Sequence, residues 1–76
     1  MSHPIARLTP GFLARVDATG LTDAAIAAAI GVTPQYYSQV RRGLEAPSVR
    51  FMAGAVHAGF AATFADVAEV AQAVAA

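Results

Sequence analysis

The chain of 76 residues contains no cysteine, so neither a disulfide nor a thiolate-held metal can staple it. It contains no lysine, and its five arginines are matched by five acids for a formal charge of zero. That balance argues against the broad basic surface through which most small DNA-binding domains gather phosphates. No apolar run approaches the roughly 18 residues that span a bilayer, and the opening MSHPIARL lacks the apolar segment of a signal peptide. His3 and His57 stand far apart without cysteine companions, which leaves no metal-ligand spacing. No serine has a histidine and an acid at suggestive positions, and no glycine loop matches a phosphate cradle. These absences predict a cytoplasmic protein that is not an enzyme, with no cofactor, no small-molecule ligand and no membrane association.

What is present is apolar and helical. Hydrophobic residues make up 57% of the chain, but many are alanine, which favours helix while adding little buried area. One domain over residues 1–76 is the expectation, with a core of small margin that a partner subunit would help. The charge is unevenly spread: Arg41, Arg42 and Arg50 fall within ten residues, whereas Asp66 and Glu69 lie near the C-terminus.

Start and stop signals predict an all-α chain of five helices, at 10–19, 22–30, 33–42, 48–58 and 63–74, behind an N-terminal arm of residues 1–8. Thr9-Pro10 and Thr33-Pro34 pair an N-cap with a proline whose missing N–H costs nothing at the first turn. Thr22, Ser48 and Thr63 cap the other three, Thr63 with help from Asp66. Gly20, Gly31, Gly43 and Gly59 supply the stops. The expected buried stripes are Phe12, Leu13 and Val16; Ile26, Ala27 and Ile30; Tyr37 and Val40; and Val49, Met52 and Val56, with Leu21 packed inward. In the last segment (60–76) Asp66, Glu69 and Gln72 make a thin polar stripe against a wide apolar arc. That arc predicts a sticky C-terminal helix or a homodimer contact through Phe64, Val67, Val70 and Val74.

Residues 22–43, TDAAIAAAIGVTPQYYSQVRRG, hold two short helical patterns joined by Gly31-Val32-Thr33. The second turns Tyr37 and Val40 inward and presents Gln35, Tyr36, Ser38, Gln39 and Arg42. A helix that buries one stripe and offers hydrogen-bonding side chains on the other suits the major groove of DNA, as the second helix of a helix-turn-helix does.

From about Phe12 to Phe64 the chain resembles the phage repressor and Cro type of helix-turn-helix protein, the XRE-like family with its lambda-repressor-like fold. The matching residues are Gly20-Leu21-Thr22, Ala27, Gly31-Val32-Thr33, Gly43 and Pro47-Ser48, in register without an insertion. Four positions depart from the family's pattern. Asp23 replaces a glutamine that often bonds a phosphate, Tyr37 replaces isoleucine or valine, and Pro34 removes a donor from the first turn of the third helix. Val16 and Arg41 stand where the family commonly has an arginine and a glutamate joined as an ion pair, so both halves are expected to be missing. Arg41 is then left to face phosphate or Asp17.

The resemblance implies base contacts by Gln35, Tyr36 and Gln39, since a glutamine amide pairs bidentately with adenine. For Tyr36 a phosphate bond, or a ring packed on the second helix, are the other readings. It implies DNA backbone contacts by Thr22, Thr33, Ser38, Arg41, Arg42 and Arg50, although Thr33 as a cap alone and Arg41–Arg42 as a solvated pair at a helix end read as well. The partner it implies is double-stranded DNA, bound by a homodimeric repressor on a palindromic operator, and the small arginine count predicts about six phosphate contacts per dimer or fewer. The competing expectation, from the zero charge and the apolar C-terminal segment, is an antitoxin-like or antirepressor-like adaptor that binds protein instead.

Overall fold

In the computed structural model, which describes residues 4–72, a two-stranded ribbon closes a bundle of five short helices. The elements in chain order are β1 (Pro4–Leu8), α1 (Pro10–Ala18), α2 (Asp23–Ile30), α3 (Pro34–Arg41), α4 (Val49–His57), α5 (Phe64–Val67) and β2 (Ala68–Gln72). Each helix starts as its sequence predicts. The hydroxyls of Thr9, Thr22, Thr33, Ser48 and Thr63 accept the N–H three residues on, and Thr63 and Asp66 complete a reciprocal capping box. At Gly31 the chain takes φ +94°, a left-handed turn that costs a glycine little. The N–H groups of Gly31 and Val32 both close onto the Ala27 carbonyl, at 2.9 and 3.0 Å, which fixes the break between α2 and α3.

The core is one cluster gathered around Phe51. Its ring stacks on Tyr37 (6.0 Å between centroids, 5° between planes), meets Tyr36 edge-on at 6.1 Å and leans on Phe12 at 6.2 Å. Each such aromatic pair adds about 0.5–1.5 kcal/mol beyond the area it buries. Ile26, Ala27, Ile30, Val16 and Val40 complete the centre, as expected.

Three expectations are corrected. The stripe of α4 is Phe51 and Ala55, both fully buried, with Met52 and Val56 beside them, while Val49 is 67% exposed. Six of the nine residues of VRFMAGAVH are apolar, so two adjoining faces of this helix look alike in sequence. Leu21 is exposed, because the loop between Gly20 and the Thr22 cap runs outside a core that α2 enters only at Ile26.

The third correction concerns both ends of the chain. The expected helix 63–74 is helical only over Phe64–Val67, and residues 4–8 are a strand rather than a loose arm. A longer helix needs the carbonyls of Asp66 and Val67 as acceptors for the next turn. Thr9 takes both: its Oγ1 donates to the Asp66 carbonyl at 2.7 Å and its N–H to the Val67 carbonyl at 3.0 Å. From Ala68 the backbone is extended and pairs antiparallel with β1, in the register Leu8 with Ala68, Arg7 with Glu69 and Ala6 with Val70. Val67 is therefore a core residue, fully buried, and leaves the expected dimer surface. Phe64 and Val70 remain exposed, and Val74 lies outside the described residues.

Candidate nucleic-acid interface

The eight residues of α3 divide cleanly by depth. Tyr37 and Val40 are buried, which anchors the helix on Phe51, and Gln35 and Gln39 stand one turn apart on the exposed face. Pro34, Gln35, Ser38, Gln39 and Arg42 line a single open recess of about 370 Å³. Both glutamines, the half-buried Ser38 and Arg42 are thus brought together on one surface of hydrogen-bonding groups.

A second recess, of about 500 Å³, lies where the turn meets the start of α4, lined by Thr33, Tyr36, Ser48 and Arg50 with Gly31 and Val32. Arg50 is exposed there. Thr22 and Thr33 each accept a backbone N–H at 3.1 Å, and each hydroxyl keeps its own proton to donate to a phosphate oxygen. Thr22 lies at the start of α2, apart from both recesses.

Tyr36 has a structural job that the sequence did not announce. Its hydroxyl donates to the Ala46 carbonyl at 2.9 Å and accepts the Ser48 N–H at 3.0 Å, while the ring edge packs on Phe51. The hydroxyl's proton and one of its lone pairs are engaged inside the molecule, so Tyr36 straps the α3–α4 loop to α3. No local pattern signals this, because the partners lie ten and twelve residues away.

Arg41 is likewise engaged. Its Nη2 donates to Asp17 Oδ1 at 2.6 Å and its Nη1 to the Tyr37 hydroxyl at 3.3 Å. Of the two partners expected for Arg41 it takes Asp17, so in place of the family's pair stands one of reversed polarity: the acid is on α1, one residue beyond Val16, and the base on α3. Burial pushes the Tyr37 hydroxyl above its ordinary range, and the bond from Arg41 offsets part of that. The Arg41 guanidinium is held above its own ordinary value by Tyr37 first and Asp17 second.

Asp17 is well exposed, so the charge attraction itself contributes little; the hydroxyl is what makes Arg41 necessary. Arg41→Ala is expected to cost about 1–3 kcal/mol by leaving the buried Tyr37 hydroxyl oxygen without its donor. In a Tyr37→Phe background the same change should cost less than about 1 kcal/mol, because the stranded group is gone. Urea denaturation of the four proteins reads this, and equal costs in both backgrounds would assign Arg41 another role.

Among the described residues, no cluster of histidine and acidic side chains is arranged to hold a metal, and no helix is long and apolar enough to cross a membrane. No curated protein and no solved structure matches the chain. A helix-turn-helix family model matches residues 13–53, more than half the chain, from the middle of α1 through the first turns of α4. That span holds the turn, the glutamine face and the Tyr36 strap together, and the chain belongs to the XRE-type helix-turn-helix family of DNA-binding transcription regulators, which are not enzymes.

Proposed function

We propose that the protein is a repressor that binds a palindromic operator as a homodimer, with α3 of each subunit in successive major grooves. The observation that carries this reading is the exposed pair Gln35 and Gln39 on an otherwise anchored helix, flanked by Arg42. A helix of eight residues is roughly 12 Å long and reaches few base pairs. Two copies related by a dyad double the sequence read, with half-site centres about 34 Å apart. Repression follows from occupying a promoter. Of the expected dimer residues, Phe64 and Val70 have the exposure a subunit contact requires, at 43% and 71%.

A footprint on the DNA upstream of the protein's own gene tests the reading. The expected result is two protected half-sites about one helical turn apart, together with a dimer by light scattering that Val70→Asp converts to a monomer. A single unpaired footprint would overturn the dyad, and an unchanged dimer in the variant would remove Val70 from the contact. No protection at low salt, with a protein partner recovered instead, would favour the adaptor.

A further inference from the structure

Arg7 plays no part in the face formed by α3, yet the ribbon carries it to the end of that helix. A groove of about 350 Å³ opens between β1, α1 and the last residues of α3, and Arg7, Arg41 and Arg42 all line it. Three of the chain's five arginines therefore converge on one recess, in a molecule whose formal charge is zero. Glu69 is the one acid in the lining, 3.6 Å from Arg7 across the ribbon. Both side chains of that pair are substantially exposed, so it is held loosely. Arg41 is committed to Asp17 and Tyr37 and lends the groove its charge, while Arg42 is exposed and also lines the recess of Gln35 and Gln39. The groove is thus continuous with the reading face through Arg42.

A helix lying in the major groove has sugar–phosphate walls running past its ends, so a basic recess at the end of α3 faces one of those walls. We propose that this groove seats a backbone phosphate flanking the bases that α3 reads, held by Arg7 and Arg42, with Glu69 as the internal anion that the phosphate displaces. The proposal rests on the DNA-reading role of α3. An acidic protein segment would share the charge complementarity but has no reason to sit beside the glutamines, so the phosphate is the occupant that the continuity favours.

The experiment is a salt titration of operator binding by the full chain, in wild type, Arg7→Gln and Glu69→Gln, with a random duplex as the second probe. Arg7→Gln should make the log–log slope shallower by about one per subunit and weaken both duplexes alike, leaving their ratio unchanged. Glu69→Gln should tighten both at low salt, an effect that a damaged ribbon cannot produce. A wild-type protein that binds its operator while Arg7→Gln keeps the wild-type slope, or Glu69→Gln the wild-type affinity, overturns the seat and leaves the reading face standing. A wild-type protein that binds no duplex overturns both, and so does an acidic peptide that occupies the groove while DNA leaves it untouched.

Discussion

Gly54→Ala is expected to lower the stability of the domain by at least about 3 kcal/mol, in opposition to helix propensity. Gly54 lies inside α4 with no positive φ, and there alanine is worth about 1 kcal/mol more than glycine. Sterics reverse the sign. A Cβ at Gly54 would overlap the carbonyl oxygen of Ile30, standing 2.9 Å from its carbonyl carbon and 3.0 Å from its Cγ2 methyl. The obstacle is mostly backbone, at the last residue of α2, where the chain is already committed to the turn at Gly31. It cannot swing aside as a side-chain tip would. Relief requires α4 to lift from α2, which would draw Phe51 and Ala55 out of the cluster they centre. For a chain of this length the whole stability is roughly 4–11 kcal/mol, so the melting temperature should fall by about 12 °C or more. Thermal unfolding followed by circular dichroism reads the effect. A variant melting at or above the wild-type temperature would mean that α2 and α4 do not cross this closely.

Features encoded by neighbouring residues were legible in the sequence. Five caps and the glycine that follows each of the first four helices are local chemistry, and each helix begins where its hydroxyl predicts. The halves of α3 were legible too, because Tyr37 and Val40 stand three residues apart on one face of a largely polar helix. Where a pattern was not unique, the phase was lost, as in α4, whose apolar faces compete and whose buried one contains Phe51. Where the deciding partner was distant, the element itself was lost. Alanine, glutamate and glutamine in 68–72 favour helix, and only Thr9 and β1, some sixty residues earlier, turn that segment into a strand. The same distance hid the Tyr36 strap, which the fold closes rather than spacing, whereas Asp17 was one of the two partners expected for Arg41. The crossing at Gly54 left no trace, because a glycine in a helix pattern looks the same whether its missing Cβ would meet solvent or a carbonyl.

The second large effect concerns specificity. Gln35→Ala with Gln39→Ala is expected to reduce the preference for operator over random duplex by about a thousandfold or more. A good bidentate amide–base pair discriminates by about 1–3 kcal/mol, and a dimer would make four of them. Even the lower figure sums to roughly 4 kcal/mol, which corresponds to about three decades in the binding ratio. The substitutions remove no charge, so binding to random DNA and the slope of its salt dependence should hold. Folding should hold as well: both glutamines are exposed, neither supports the Tyr37–Phe51 stack, and alanine is at least as good a helix former. The stability change should stay within about 0.5 kcal/mol, which separates lost recognition from lost structure. Competition binding with operator and random duplexes measures the ratio directly. Equal weakening on both would assign the glutamines to the backbone, and an undiminished preference would move sequence reading off the exposed face of α3 altogether.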